Sequence, residues 1–130
     1  MIKYATIGRG KIVDCFIEGA KLSGELQLEA VYSRNKNDGK AFAKKYNAKK
    51  VYTSLEDLAA DKEIDAVYIA SPNLFHAEQS RALLEAGKHI LCEKPIACSA
   101  EEYKAVKTLA DSKGLIYMEA IIPIYTNFRR

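Results

Sequence analysis

The sequence has few cysteines, and their spacing excludes two classes of protein. Its three cysteines, Cys15, Cys92 and Cys98, form no CxxC pair, and their odd number leaves at least one unpaired. This pattern argues against a disulfide framework and against a zinc site of the usual spacing. Because the cysteines lie in or beside apolar runs, we expect reduced core thiols in a cytoplasmic protein, and no metal site.

The sequence also lacks long apolar runs and a large charge excess. No segment approaches the ~20 apolar residues of a membrane-spanning helix, and the apolar stretch in MIKYATIGRG is too short for a signal peptide. The net charge is only +3, with basic and acidic residues mixed along the chain. We therefore expect a protein of the cytoplasm that binds neither a membrane nor a nucleic acid.

Short β-rich runs alternate with helical patterns along the whole chain, without repeats or linkers. The predicted strands are 2–7, 26–32, 50–52, 66–70, 89–92 and 115–118. The alternation predicts a parallel sheet covered by helices on both faces, and the runs VYIA and HILC suit strands that are buried on both faces. Six strands joined by crossovers predict a doubly wound α/β fold with the strand order 3-2-1-4-5-6.

The helices between these strands have recognisable ends. They are predicted from Gly10 to just before Gly24, over 37–46, shortly after Ser54, from after Pro72 to Gly87, and from Ser99 to Gly114. Ser71 or Asn73 can cap the fourth helix, and the fifth is expected to bury Tyr103. These helices serve mainly to connect the strands, so the chemistry is expected at the strand ends.

The segment GRGKIV, residues 8–13, stands between the first strand and the first helix. Gly8 permits a tight turn, and Gly10 lets the backbone approach the phosphates of a dinucleotide at the N-terminus of the helix. Val13 occupies a position that is usually glycine or alanine in such turns, which keeps helix and strand further apart. The alternative is an ordinary strand-to-helix turn. The place of GRGKIV after the first strand favours a dinucleotide site.

The end of the second strand discriminates between the two nicotinamide cofactors, because a carboxylate there binds the ribose 2′-hydroxyl of NAD. From residue 32 the chain reads YSRNK and offers no carboxylate. The Ser33 hydroxyl and the Arg34 guanidinium could hold a 2′-phosphate, and Arg34 could stack on adenine. We predict NADP(H) as the preferred cofactor and NAD(H) as the other one accepted. The alternative is that Arg34 and Lys36 are solvated loop charges.

The fourth strand is followed by a loop at the predicted ligand edge. In ASPNLFH, residues 70–76, Pro72 stiffens the turn, and His76 falls in the first turn of the next helix, near the ligand crevice. Taken alone, His76 is more often a structural hydrogen-bonding residue than a catalyst, and His89, inside a strand, is more often structural still.

The fifth strand ends in HILCEKP, residues 89–95. Lys94 would supply a positive donor beside the atoms that exchange hydride and proton, while Glu93 could orient it and Pro95 fix the backbone. A structural ion pair between Glu93 and Lys94 would give the same sequence.

Together, GRGKI, SPNLFH and EKP resemble the Gfo/Idh/MocA family of NAD(P)-dependent oxidoreductases. ALLEAGKHILCEKPIA and GLIYMEA are also similar to this family, particularly to its members related to dihydrodiol dehydrogenase. The resemblance implies a Rossmann fold and a dehydrogenase acting on CH–OH groups of sugars, polyols, dihydrodiols or related compounds. It implies cofactor binding by Gly8, Arg9, Gly10, Lys11, Ile12, Ser33, Arg34, Ser71, Pro72, Asn73, His76, Glu93, Lys94 and Pro95. Lys94 is implied as the catalytic residue.

Family members are more than twice as long as this chain, and their second α/β domain supplies the substrate pocket. We therefore expect residues 1–120 to form the dinucleotide-binding domain and 121–130 to begin the connection to a further domain. Alone, the chain should bind cofactor without turning over its small-molecule substrate, and exposed apolar surface favours a homo-oligomer. The alternatives are a non-catalytic NAD(P)-sensing regulator and a doubly wound domain that binds no nucleotide.

Overall fold

The computed structural model describes residues 1–8 and 10–120, in which strands and helices alternate. The strands are β1 (Ile2–Ile7), β2 (Leu26–Tyr32), β3 (Lys50–Tyr52), β4 (Ala66–Ile69), β5 (His89–Glu93) and β6 (Tyr117–Ala120). The helices are α1 (Lys11–Ser23), α2 (Lys36–Tyr46), α3 (Leu55–Ala60), α4 (His76–Glu85) and α5 (Ala100–Lys113). Within this part of the chain, none of the helices has the length and apolar character needed to cross a bilayer. The predicted start of a connection, 121–130, lies outside the described residues.

All six strands belong to one sheet in the order β3-β2-β1-β4-β5-β6, and every neighbouring pair is parallel. This order confirms the predicted doubly wound fold. The strand order reverses between β1 and β4, which is where ligands bind in sheets of this kind. We call the two edges of the sheet the carboxyl edge and the amino edge, after the strand ends that meet there.

Two apolar cores lie on the two faces of the sheet. The larger core packs α3, α4 and α5 on one face and contains the fully buried Leu58 and Leu83. The smaller core packs Val13 of α1 against Tyr68 of β4 on the other face. Because side chains alternate along a strand, Val67 faces the larger core while its neighbour Tyr68 faces the smaller one.

The sixth strand begins two residues later than the predicted 115–118. The preceding helix explains the shift, because α5 ends at Gly114 in the left-handed conformation (φ 67°). The amide of Leu115 still donates a hydrogen bond to the last turn of that helix. Leu115 is therefore part of the helix cap, and pairing with β5 is in register from Tyr117, which lies opposite Ile90.

The start of the fourth helix also differs from the prediction that Ser71 or Asn73 caps it. A 3₁₀ turn, Asn73–Phe75, precedes α4, and the Phe75 amide bonds to the carbonyl oxygen of Pro72. No side chain caps either segment. Because the Phe75 amide finds a backbone acceptor, it needs no side-chain cap. The side chains of this loop therefore remain available for other contacts.

Some predicted core positions are corrected as well. Tyr103 of α5 is 37% exposed, and its ring stacks on Tyr117 with a centroid separation of 5.8 Å. Among the cysteines, Cys92 is buried as expected, but Cys15 and Cys98 are exposed. Apolar neighbours in the sequence do not decide which side of a helix or loop a thiol occupies.

Candidate functional site

A cleft of about 610 Å³ opens at the carboxyl edge, where β1, β2 and β4 end. It lies at the reversal of the strand order. Its lining residues are Ile7, Gly8, Tyr32, Ser33, Arg34, Asn35, Ala70, Ser71, Pro72, Phe75 and Gln79. The cleft therefore brings together five of the residues predicted to bind a cofactor, namely Gly8, Ser33, Arg34, Ser71 and Pro72.

The glycine turn after β1 has a backbone geometry that other residues rarely adopt. Gly8 has a φ of 101°, and a Cβ there would lie 2.5 Å from the carbonyl oxygen of Ala70. Gly10 (φ 114°) precedes α1, and a Cβ there would meet no atom within 4 Å, so the space beside it is open. The first amides of the helix, including those of Lys11 and Ile12, have no acceptor within the helix. These donors and the open backbone form a cradle that fits a phosphate group.

The helix that follows this turn is anchored on both sides. Val13 is fully buried against Tyr68, so the structure accommodates the larger residue in the core. Asp14 accepts a hydrogen bond from the Tyr46 hydroxyl, which ties α1 to α2. The predicted binding residue Arg9, in the middle of the turn, lies outside the described residues. The N-terminus of α1 is thus held at a fixed place beside the cleft.

The end of β2 forms a second wall of the cleft. The Ser33 hydroxyl accepts a hydrogen bond from the amide of Asn35 (3.3 Å), and the Asn35 side chain caps α2 by accepting from the amide of Asp38 (3.1 Å). The guanidinium carbon of Arg34 lies 5.8 Å from the ring centroid of Phe75, which comes from the loop after β4. No carboxylate is among the residues that line the cleft. This end of the cleft therefore suits an anionic group beside a flat ring.

The loop after β4 supplies the third wall, including two residues that the sequence analysis did not single out. The Ser71 hydroxyl bonds to the side-chain oxygen of Gln79 on α4. Phe75 is 38% exposed and closes the cleft opposite Arg34. The signal for Phe75 was an aromatic side chain in the loop at this ligand edge. Asn73 is exposed and lies outside the cleft lining.

His76 lies behind the cleft wall. Its side chain is 1% exposed, and both ring nitrogens lie within hydrogen-bonding distance of backbone carbonyl oxygens, those of Ser71 (2.6 Å) and Pro95 (2.8 Å). It does not line the cleft. This geometry supports the structural hydrogen-bonding role that the sequence left open.

Lys94 lies at the carboxyl edge, directly after β5, and its side chain is exposed. The peptide bond between Lys94 and Pro95 is cis. Beyond it the Ile96 amide donates to Glu119 Oε2 (3.0 Å), and the Ile96 carbonyl oxygen accepts from the Tyr117 hydroxyl (3.3 Å). Two side chains of β6 therefore fix the turn that carries Lys94, and the sequence analysis predicted neither contact.

Glu93 does not orient Lys94 by direct contact. In residues 1–8 and 10–120, no ion pair joins their side chains, which also removes the alternative of a structural ion pair. Glu93 instead lines a groove of about 490 Å³ beside α1, together with Tyr68 and Leu91. Burial raises the pKa of the Glu93 carboxyl group, and its Oε2 is buried without a hydrogen-bond partner. Burial, followed by the charge of Glu93, raises the pKa of Tyr68.

Two cations at this edge are free of carboxylate partners. Within the described part of the chain, neither Arg34 nor Lys94 forms an ion pair, and both side chains are exposed. Arg34 lines the cleft, while Lys94 lies beyond β4 at the same edge. The arrangement can therefore attract an anionic ligand at one end and donate a proton at the other.

Two curated relatives match nearly the whole chain. A scyllo-inositol 2-dehydrogenase (NADP(+)) of Bacillus subtilis is 43% identical over 121 residues, and the match covers 93% of this chain and 37% of the relative. A mouse trans-1,2-dihydrobenzene-1,2-diol dehydrogenase is 35% identical over 122 residues, covering 92% and 37%. The chain thus spans little more than a third of the length of these relatives.

The comparison with solved structures gives the same family. A 3-ketoreductase from Actinomadura kijaniata, solved with TDP-benzene and NADP, superposes with a TM-score of 0.85 at 28% identity, covering 91% of this chain and 37% of that one. Residues 2–121 match the family described as oxidoreductases with an NAD-binding Rossmann fold. The chain therefore belongs to the Gfo/Idh/MocA family of oxidoreductases, and the described residues form its NAD-binding Rossmann domain.

Proposed function

We propose that this chain is the cofactor-binding part of an oxidoreductase that transfers hydride between NADP(H) or NAD(H) and a hydroxyl or keto compound. One observation carries the proposal: the Gly8 turn and Lys94, far apart in the sequence, lie at the same edge of one sheet, beside the reversal of strand order. The polyol and dihydrodiol substrates of this class are supported by the named relatives. Residues 1–120 are the cofactor domain in this proposal, and 121–130 begin the connection to a substrate domain.

The proposed pyrophosphate site is the turn from Gly8 to Ile12. Gly8 brings β1 and the loop after β4 together, and Gly10 leaves its backbone open to the ligand. The free amides and the dipole at the start of α1 favour a negative charge there. Lys11, the first residue of α1, adds a positive charge there.

The proposed adenosine site is the wall formed by Ser33 and Arg34. A 2′-phosphate would meet a hydroxyl and a guanidinium rather than a carboxylate, which supports the preference for NADP(H). The separation of 5.8 Å between Arg34 and the Phe75 ring places two flat groups at the same end of the cleft. An adenine ring could pack against either one.

The proposed nicotinamide end lies between the loop after β4 and the Lys94 turn. Ser71, Pro72 and Asn73 belong to that loop, which His76 supports from behind. When bound, the nicotinamide ring supplies the group that accepts or donates hydride. Lys94 holds an ammonium proton that it donates to the substrate oxygen during reduction, and it accepts a proton there during oxidation.

The other two residues of the EKP motif have different places in this proposal. Pro95 fixes the backbone next to it, and Glu93 adds a negative charge on the α1 side of the strand. Because the substrate walls belong to a further domain in this proposal, the chain alone should bind cofactor without turnover. The expected partners are a small-molecule substrate and that domain, with no nucleic acid and no membrane.

The groove beside α1 supports self-association of this chain. It is lined mainly by apolar side chains, including Phe16, Tyr68 and Leu91. Met118, in β6, is 54% exposed. Covering such a surface with a second copy would bury apolar area. We expect light scattering to give a mass above that of one chain. We also propose that the protein is cytoplasmic.

The function is tested by titrating the chain with NADPH and with NADH and following fluorescence. We expect both cofactors to bind and NADPH to bind more tightly. Tighter binding of NADH would contradict the preference, and no binding of either would contradict the proposed function. Lys49→Ala, which removes an exposed cation near the amino edge, is the control and should bind like the unaltered chain.

A further inference from the structure

The strongest unexplained feature is the buried ring of His76, the first residue of α4. It is 1% exposed and lies between the loop after β4 and the turn that carries Lys94. Its Nε2 lies 2.6 Å from the carbonyl oxygen of Ser71, and its Nδ1 lies 2.8 Å from the carbonyl oxygen of Pro95. The ring thus joins two segments that are separated in sequence.

Both partners of this ring can only accept hydrogen bonds. A neutral imidazole carries one N–H and one lone pair, so it could donate to only one of the two carbonyl oxygens. The lone pair of the other nitrogen would then face an oxygen lone pair in a buried site, which is unfavourable. Both contacts are hydrogen bonds only if both nitrogens carry a proton.

His89 has the opposite arrangement. Its Nδ1 accepts a hydrogen bond from the amide of Ile116 at 3.1 Å. An acceptor nitrogen must have a free lone pair, so His89 carries no proton on Nδ1. The chain has two histidines, so the protonation of the His76 ring can be compared directly with that of the His89 ring.

The groups around His76 include a carboxyl group. Glu93 interacts with it electrostatically, and the Glu93 Oε2 is buried without a hydrogen-bond partner. Burial raises the pKa of the Cys92 thiol to about 12, so that side chain is neutral at neutral pH. The other titratable groups near this turn include Lys94, Cys98, Tyr117 and Glu119.

We propose that His76 is a positioning residue whose ring is an imidazolium ion. Its two ring nitrogens donate hydrogen bonds to the carbonyl oxygens of Ser71 and Pro95. It thereby holds the cofactor cleft and the Lys94 turn as one unit. The effect on the nicotinamide end rests on the proposed function, whereas the protonation of His76 does not. Loss of one proton breaks one of the two links.

The first test is nitrogen-15 NMR of the chain with labelled histidine, recorded near neutral pH without cofactor. We expect two protonated ring nitrogens for His76 and one nitrogen with a free lone pair for His89. A free lone pair on either nitrogen of His76 would overturn the proposal. This result does not depend on whether the chain binds a dinucleotide.

The second test is NADPH affinity as a function of pH in the unaltered chain, in His76→Gln and in His89→Gln. We expect His76→Gln to weaken binding about tenfold at neutral pH, because one charge-assisted hydrogen bond is lost. The affinity of the unaltered chain should show a dependence on pH that His76→Gln does not share. Titration of the cofactor phosphate is common to all three proteins.

The outcomes separate the two proposals. If the unaltered chain binds no NADPH while His76 carries two protons, the proposed function fails and the assignment of His76 stands. If NADPH binds with the same pH dependence in His76→Gln as in the unaltered chain, the positioning role fails. If His76→Gln does not fold, the NMR result on the unaltered chain still decides the protonation.

Discussion

The two edges of the sheet use their charges in opposite ways. At the amino edge, Lys50 Nζ lies 2.9 Å from a carboxylate oxygen of Asp61 and 2.8 Å from one of Glu63. At the carboxyl edge, Arg34 and Lys94 have no carboxylate partner in the described part of the chain. The contrast indicates that the amino edge stabilises the fold, while the carboxyl edge keeps cations available for a ligand.

The amino edge holds a network of ion pairs and hydrogen bonds. Burial alone would raise the pKa of Asp61, but hydrogen bonds from the Tyr52 hydroxyl and the Lys50 ammonium lower it to about 2. Lys88 is buried, and its ammonium donates to the backbone carbonyl oxygen of Asp61. Burial lowers the pKa of Lys88. The network therefore links β3 to the segments that precede β4 and β5.

The largest effect is expected from removing the free cation of Lys94. In the whole enzyme proposed above, Lys94→Ala should lower turnover about 100-fold or more, because the proposed proton donor is lost. Cofactor affinity should change little. Steady-state kinetics and NADPH titration measure the two effects. Lys49→Ala, near the other edge, is the control, and unaltered rates in Lys94→Ala would remove Lys94 from the mechanism.

The next largest effect is expected from adding a side chain at Gly8, which should lower the stability of the fold. Gly8→Ala places a Cβ 2.5 Å from the Ala70 carbonyl oxygen at a φ of 101°. We expect the free energy of unfolding to fall by about 2 to 5 kcal/mol, from backbone strain and overpacking together. Urea denaturation measures this change.

Gly19→Ala is the matched control for that substitution. Gly19 lies within α1, and a Cβ there would meet no atom within 4 Å. We expect this variant to gain about 0.5 to 1 kcal/mol, because alanine has the higher helix propensity. Equal stability of the two variants would contradict the close approach at Gly8.

Acid should weaken the amino edge. Because folding lowers the pKa of Asp61 from 3.8 to about 2, its contribution is present above the unfolded value and is lost as the pH falls from 3.8 to about 2. The shift corresponds to about 2 kcal/mol. Asp61→Asn should lose this amount at neutral pH and show a smaller further loss over that range, as followed by denaturation at several pH values.

The exposed pair between Lys107 and Asp111 is the control for the amino edge. Their oppositely charged atoms lie 3.0 Å apart on the surface of α5. Asp111→Asn should change stability little at any pH, because exposed pairs are screened by water. A loss as large as that of Asp61→Asn would contradict the special role of the buried network.

The smallest effect is expected in cofactor choice. Arg34→Ala should weaken NADPH binding about tenfold and NADH binding less, because only NADPH carries the 2′-phosphate. Lys36→Ala removes a nearby cation outside the cleft lining and should leave the ratio of the two affinities unchanged. An unchanged ratio in Arg34→Ala would assign that residue to the solvated surface.

The sequence was sufficient to predict features that depend on strand order. Apolar runs at regular intervals predict parallel strands, and the ends of parallel strands must meet at one edge. Gly8, Ser33, Ser71 and Lys94 each follow such a strand, so their common edge could be predicted before their distances were known.

The rest depends on contacts between distant segments, which no local pattern encodes. The Ile96 amide bonds to Glu119, 23 positions away, and the ring of His76 reaches Pro95, 19 positions away. Glu93 is turned from Lys94 because strand parity places it on the α1 face with Leu91. Periodicity predicts which face a residue occupies only when the boundary of the helix or strand is known with single-residue precision.

The central claim is that the carboxyl edge, and not the amino edge, binds a dinucleotide. The most direct measurement is the change in backbone amide NMR shifts when NADPH is added to the chain. We predict changes at Gly8, Gly10, Ser33, Arg34, Ser71 and Lys94, and none at Lys50, Asp61 and Lys88. Changes confined to the amino-edge residues, or no changes at saturating NADPH, would contradict the account.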